Sequence, residues 1–208
     1  AVTVLPIRGD ILRVDPDFAK AELQLGGKPL ILSMGGSLGA KPVNDAVLGM
    51  ILKKYKANDC VFLHATGKGG DWFVEELRKA GVDPAGHPNI RVVEYIDIPK
   101  CLPAADLVIS RSGASSLSEI QALGKPSILI PSPYVTENHQ YHNAMALVEN
   151  DAAVILEEKD LTPDSLTEKV DELLGDKSML AKIGANAKAM AVLAATERIY
   201  EPLCEIVK

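Results

Sequence analysis

Aromatic side chains are scarce in this chain: Phe, Tyr and Trp make up 4% of its 208 residues. The core must therefore be aliphatic, built from Leu, Ile, Val and Ala. Cysteines are few and odd in number, at Cys60, Cys101 and Cys204. They show no metal-ligand spacing, which argues against a disulfide framework and fits a reducing compartment. Cys60 abuts the run Val61-Phe62-Leu63 and reads as a small buried hydrophobe. Positive charge is not in excess either. A formal net charge of -6 argues against a broad nucleic-acid footprint, which needs a basic face. The densest basic cluster, Lys53-Lys54-Tyr55-Lys56, reads as a solvated helix end, where cations complement the helix macrodipole. Long apolar runs are missing: none approaches the roughly 20 residues that span a bilayer, and no signal-peptide pattern is present. The chain starts with Ala-Val-Thr-Val and already reads as strand, so it is expected to be a piece of a longer protein.

What is present is an ordinary globular balance, 47% hydrophobic and 24% charged, enough for one domain over residues 1–208 with its own core. Continuous apolar runs predict strands at 29–33, 60–64, 90–95, 107–110, 127–130 and 152–156. Runs of this kind, without alternation, suit strands covered on both faces of a parallel sheet. Helices are expected between them at 43–55, 71–80, 115–123, 137–150 and 163–174. Two more are expected at 178–193 and 196–207, and a short one at 18–25, opened by Asp15-Pro16-Asp17 and closed by Gly26-Gly27. The fold class is α/β, a doubly wound, Rossmann-like parallel sheet. Ligands of such sheets bind beyond the carboxyl ends of the strands, so the residues just after each strand hold the candidates.

Three of these turns carry candidate chemistry. Met34-Gly35-Gly36-Ser37-Leu38-Gly39-Ala40 joins a strand to a helix, where glycines permit tight turning and close approach to a ligand. Ser37 could cap the helix or donate to a phosphate. The same residues match the Gly-x-Ser-x-Gly elbow of α/β hydrolases, with Asp106 and His139 following in triad order. They do not make a Walker loop, because Lys41 lies too close and Pro42 replaces the Ser or Thr. Next, Ser110-Arg111-Ser112-Gly113-Ala114-Ser115-Ser116-Leu117-Ser118-Glu119 clears space beside a helix start rich in donors for an anion. Ser115, Ser118 and Glu119 share a helix face, so a carboxylate there could accept from a ribose diol. The alternative is that Ser116 and Glu119 form a capping box. Last, Pro131 to Asn143 places Asn138, His139, Gln140 and Asn143 at a helix start, where such groups read sugar hydroxyls by directional hydrogen bonds. There the alternative is a polar turn capped by Thr136. The loop from His64 to Gly70 reads as a structural turn. Tyr95-Ile96-Asp97 ends a strand whose backbone could meet a base edge.

In order along the chain, Gly-Gly-Ser-x-Gly-Ala, Ile-Ser-Arg-Ser-Gly-Ala-Ser-Ser-Leu-Ser-Glu, Ala-Leu-Gly-Lys-Pro and Asn-His-Gln-x-x-Asn-Ala resemble the MurG family of GlcNAc transferases. The resemblance runs from about Leu5 to the C-terminus. It implies the C-terminal, UDP-sugar-binding domain of a two-domain GT-B glycosyltransferase, with the N-terminal acceptor domain absent from this piece. It implies donor contacts from Arg8, Ser37, Ile96, Ala114, Ser115, Ser116, Leu117, Ser118, Glu119, His139, Gln140 and Asn143. Ser37 would meet the pyrophosphate, Glu119 the ribose hydroxyls, the Ile96 backbone the uracil, and Gln140 with His139 and Asn143 the sugar. Arg8 falls at the arginine of the family's Asn-Pro-Val-Arg segment, but Leu5 replaces the Asn, and His139 stands where many relatives carry Gln. The implied reaction is inverting transfer of GlcNAc from UDP-GlcNAc to lipid I, giving lipid II in peptidoglycan synthesis. No catalytic residue is expected in this domain, and neither a metal nor a cofactor. The partners expected are the UDP-GlcNAc donor and, through the missing domain, lipid I, but no nucleic acid. The full-length enzyme is expected to be peripheral at the cytoplasmic face of the membrane. A glycolipid transferase with another acceptor, and a hydrolase with Ser37 as nucleophile, are the alternatives.

Overall fold

The computed structural model describes residues 5, 7–193, 200 and 204. The strands are β1 (Leu30–Met34), β2 (Val61–Ala65), β3 (Ile90–Val93), β4 (Leu107–Ser110), β5 (Ser127–Leu129) and β6 (Val154–Ile155). All pair in parallel, in the order β3-β2-β1-β4-β5-β6. Each falls within or beside an expected run, with shorter ends for β3 and β6. The helices are α1 (Pro16–Glu22), α2 (Lys41–Lys54), α3 (Trp72–Lys79), α4 (Ile98–Cys101), α5 (Ala114–Leu123), α6 (His139–Val148), α7 (Pro163–Gly175) and α8 (Lys177–Ala189). The single turn α4 was not anticipated. Asp97 caps it, accepting from the Lys100 N–H. The helix expected at 196–207 lies almost wholly outside the described residues.

The sheet is covered on both faces, as its apolar runs require. Leu30, Leu32, Val61, Leu63, Val108 and Leu129 face one core, which α1, α4, α5 and α6 close. Ile31, Phe62, Ile90, Ile109 and Ile128 face the other, under α2, α3 and α7. Helix α8 serves both, through Ala187 and Ile183. Helix α2 buries Val43, Ala46, Val47, Met50 and Ile51, a spacing that repeats every three or four residues and so makes one stripe. The Lys53-Lys54 cluster is not simply solvated: Lys53 pairs with Asp164 and Lys54 with Asp171 on α7. Pairs with one or both members exposed add little stability, so the α2–α7 contact rests on its apolar stripe.

The amino edge of the sheet is fixed by charge. The Asp106 carboxylate accepts from the Leu30 N–H and from Lys20. The buried Lys125 ammonium donates to the carbonyls of Pro103 and Ala105, and burial pulls its pKa down to about 8.

Toward the carboxyl edge, Ser33 and His64 sit side by side on β1 and β2. The Ser33 hydroxyl lies 2.8 Å from His64 Nδ1, and the imidazole packs on Phe73 with centroids 4.5 Å apart. His64 is 0% exposed, and among the described residues its Nε2 has no partner. Burial, opposed only weakly by the Ser33 contact, lowers its pKa from 6.5 to about 3.

Beyond β1 and β2 two turns interlock. A Cβ added at Gly39 would lie 2.2 Å from the Thr66 carbonyl oxygen, and one at Gly67 would lie 2.1 Å from the Gly39 nitrogen. Both glycines hold φ +74°. Lys68 N–H donates to the Ser37 carbonyl at 3.2 Å, and the Asn44 amide holds the Thr66 carbonyl from α2 at 2.9 Å. The His64–Gly70 loop thus backs the glycine turn.

Two predictions follow from these packings. Gly39→Ala places a side chain at positive φ and against backbone, and should cost more than about 2 kcal/mol in urea unfolding. For His64 the unfolded chain takes up a proton near pH 6.5 and the folded chain near pH 3. Stability therefore falls as pH drops through that window. Between pH 7 and 4.5 the His64 contribution should be about 2–3 kcal/mol, read as the difference in pH dependence between wild type and His64→Gln.

Candidate functional site

Between β1 and β4 the strand order reverses, so the chain leaves β1 for the α2 face and β4 for the α5 face. The crevice at such a switch point, beyond the carboxyl ends, is where ligands of open α/β sheets bind. Its walls are the Gly35–Ala40 turn and the start of α5.

Helix α5 opens without a side-chain cap. Gly113 is the N-cap, and the first helical bond runs from Leu117 N–H to the Gly113 carbonyl. The N–H groups of Ala114, Ser115 and Ser116 are thus left without helical partners and point into the crevice with the positive end of the macrodipole, a ready anion site. The alternative capping box is absent: the helix begins three residues earlier than that motif requires, and Ser116 and Glu119 share no hydrogen bond among the described residues. Ala114 and Ser115 are exposed. Leu117 instead is buried in the core and its N–H is spent on the Gly113 carbonyl, so the expected ligand contact is not available from it. The Ser118 hydroxyl is spent on the Ala114 carbonyl at 3.0 Å.

Glu119 sits one turn beyond the anion site. Arg8 reaches it through both Nε and Nη2, each 3.2 Å from the same oxygen, Oε1. Among the described residues Oε2 has no partner, so it is free to accept. Arg8 and Glu119, 111 positions apart, are thereby brought together.

Ser37 lies exposed at the tip of the glycine turn. It does not cap α2, whose N-cap is Ala40 with no side-chain bond; Pro42 occupies the first turn and shifts the helix start forward. The hydrolase reading fails on geometry. Ser37 has no imidazole partner among the described residues, and His139 Nδ1 instead bonds the Thr136 carbonyl at 2.9 Å. Asp106 belongs to the opposite, amino edge, tied to Leu30 and Lys20.

Ile96 follows β3 in a bend, half-buried against the core. Among the described residues its N–H and carbonyl take no backbone partner, which leaves both for a planar ligand edge.

The β5–α6 loop is built on a contorted backbone. Glu137 and Asn138 both hold positive φ, 53° and 51°, in a region costing non-glycine residues about 1–3 kcal/mol each. Thr136 does not cap the helix that follows. The loop is held by hydrogen bonds instead. Ser132 N–H donates to Gln140 Oε1 at 3.0 Å, Ser112 Oγ to the Gln140 carbonyl at 2.7 Å, and Asn143 Nδ2 to the Ser112 carbonyl at 3.2 Å. Ser112 from one sequence motif and Gln140 and Asn143 from another therefore form one network. His139 is exposed, and because a carbonyl only accepts, its Nδ1 donates to Thr136.

Two residues that sequence reasoning passed over support this loop. Arg111 turns away from the crevice and donates to the Ile130 and Pro131 carbonyls, both at 3.1 Å, and to Glu158. Arg111 lay inside a recognised motif. Glu158 had no signal, because its place depends on β6 lying beside β5.

A cleft of about 790 Å³ lies elsewhere, at the amino edge among Lys20, Gly27, Asp106, Lys125 and Leu180. That cleft lies at the end of the sheet away from the switch point, so size is a poor guide here. The unspent helix N–H groups and the free carboxylate oxygen locate the site better. A hollow of about 330 Å³ does open at the carboxyl edge, between Pro131, Tyr134 and Tyr141 and residues Glu157 to Lys159.

Residues 30–199 match the glycosyltransferase family 28 C-terminal domain. The UDP-N-acetylglucosamine–N-acetylmuramyl-(pentapeptide) pyrophosphoryl-undecaprenol N-acetylglucosamine transferase of Acetivibrio thermocellus is 43% identical over 206 residues, 98% of this chain and 54% of that protein. The enzyme of the same name from Listeria monocytogenes serovar 1/2a is 39% identical over 98% of this chain and 55% of its own length. The chain thus spans about half the length of the curated relatives it matches. Among solved structures, Acinetobacter baumannii MurG superposes with a TM-score of 0.74 at 28% identity, covering 94% of this chain and 55% of that one. The Staphylococcus aureus MnaA–UDP co-structure, at 15% identity and TM-score 0.68 over 95% of this chain and 52% of that one, shares the fold. The family match covers most of the chain, and the chain belongs to the glycosyltransferase family 28 C-terminal domain family.

Proposed function

We propose that this chain is the donor-binding half of an inverting GlcNAc transferase that converts lipid I to lipid II in peptidoglycan synthesis, holding UDP-GlcNAc in the β1/β4 crevice. The observation that carries the proposal is the uncapped start of α5 with the Glu119 carboxylate one turn further on. Three free N–H groups and the helix dipole suit a pyrophosphate, and a carboxylate oxygen at that remove suits a ribose diol.

The other contacts take the remaining parts of the donor. Ser37 approaches the pyrophosphate from the glycine turn. The Ile96 backbone N–H and carbonyl match the edge of uracil. Gln140, with His139 and Asn143, faces the sugar hydroxyls. Ala114, Ser115 and Ser116 contribute backbone N–H groups, Leu117 and Ser118 hold the helix that presents them, and Arg8 orients Glu119. As the glycosidic bond breaks, charge grows on the departing UDP, and the α5 start, already organised, stabilises it. The base that deprotonates the acceptor hydroxyl, and the surface that meets lipid I at the cytoplasmic face of the membrane, belong to the other half of the enzyme. The names of the relatives, each about twice the length of this chain, support the donor and acceptor assigned.

The expected outcome is donor binding without turnover. Isothermal titration should show heat with UDP-GlcNAc, and a lipid I transfer assay should show no product from this chain alone; full activity would sink the division of labour. Glu119→Ala should weaken UDP roughly tenfold, the loss of one charge-assisted hydrogen bond. It should change the affinity for a deoxyribose analogue lacking the 2′-hydroxyl much less.

A further inference from the structure

We propose that the Arg111–Glu158 ion pair is a positioning device that fixes the sugar-reading amide of Gln140, and so sets the preference of this site for a nucleotide-sugar over the bare nucleotide. The proposal rests on the reading of the crevice as a UDP-sugar site.

Arg111 is the residue in the Ser-Arg-Ser-Gly motif that charge alone would send to the pyrophosphate. It goes the other way. Its side chain and that of Glu158 are each only 11% exposed. One guanidinium nitrogen serves two successive carbonyls, Ile130 and Pro131, and the other serves Glu158. A planar guanidinium with a fixed fork of donors suits this better than an ammonium. The pair ties together the segments after β4, β5 and β6 at one point.

That point is next to the sugar-reading residues. Directly after Pro131, Ser132 N–H donates to Gln140 Oε1. An N–H can bond only the oxygen of an amide, so this contact decides which way the Gln140 side chain faces. The oxygen turns inward to the loop, and the NH2 group is left to donate outward to a hydroxyl. The loop between, through Glu137 and Asn138, runs at positive φ. A backbone held in such a conformation persists only where its surroundings over-determine it. The anchoring at Pro131 and the Ser112–Gln140–Asn143 bonds supply that restraint from the two ends of the loop. The α5 start and Glu119, which hold the nucleotide, take no part in the Arg111–Glu158 contacts, so the two halves of the donor are served by separable supports.

The test uses this chain with Arg111→Lys, which keeps the charge and loses the fork, and Glu158→Gln, the milder change, which keeps the shape and loses the charge. Titrations with UDP-GlcNAc and with UDP, and amide exchange without ligand, are compared with wild type. In both variants the preference for UDP-GlcNAc over UDP should fall by about tenfold, with the UDP affinity within about twofold of wild type. The Ser132 and Asn138 amides should exchange at least about tenfold faster, while Val108 on β4 stays protected. Parallel weakening of both ligands, or no change in preference, overturns the proposal. Unchanged exchange at Ser132 and Asn138 overturns the positioning role whatever the ligands do. If wild type binds UDP-GlcNAc no better than UDP, the sugar-site reading itself fails, and that result is distinct from the others.

Discussion

Between β1 and β4 the chain leaves a parallel sheet in opposite directions, and the carboxyl edge is organised around that parting. Helices must cover both faces because the strands are apolar on both. Two neighbouring strands must then send their connections to different sides, and no connection bridges the gap they leave. A helix start at that gap has no neighbouring side chain to satisfy its N–H groups. The free donors of Ala114, Ser115 and Ser116 are thus a consequence of topology, and a ligand with negative charge supplies what the fold withholds.

The opposite edge of the same strands is treated differently. There Asp106, Lys20 and Lys125 neutralise backbone groups and one another. Buried charge is tolerable only with such partners. At the carboxyl edge the charges that are paired, Arg111 with Glu158 and Arg8 with Glu119, hold loops and leave one carboxylate oxygen and one amide group facing outward. At the amino edge the charges are spent on backbone groups and on one another, while at the candidate site helix N–H groups and a carboxylate oxygen are left over.

Much of the fold was legible because a strand buried on both faces writes itself as a continuous apolar run. Leu30–Met34 and Leu107–Ser110 are cases of this. At the sheet edge the signal thins, so Val154–Ile155 is shorter than its run. Helix α4 escaped notice because four residues show no periodicity. At the site, the small residues from Gly113 to Ser116 could be read as room for a ligand, since little else explains them in a strand-to-helix turn. The capping alternatives at Ser37 and Ser116 are not realised for one reason: Ala40 and Gly113, residues without a capping side chain, take the N-cap position by backbone conformation alone. Glu158 was illegible because its partner lies 47 positions away and meets it only through strand order.

The interlocked turns at Gly39 and Gly67 bear on how such a scaffold can diverge. Neither position can gain a side chain without moving backbone, so the two interlocked glycines have almost no room for variation by substitution. The β5–α6 loop is free of that restriction, being held by side-chain contacts that can be exchanged for others. New sugar preferences are therefore expected to arise by rewriting that loop while the glycine turns stay unchanged. One half of the ligand is inherited with the fold, and the other remains open to selection.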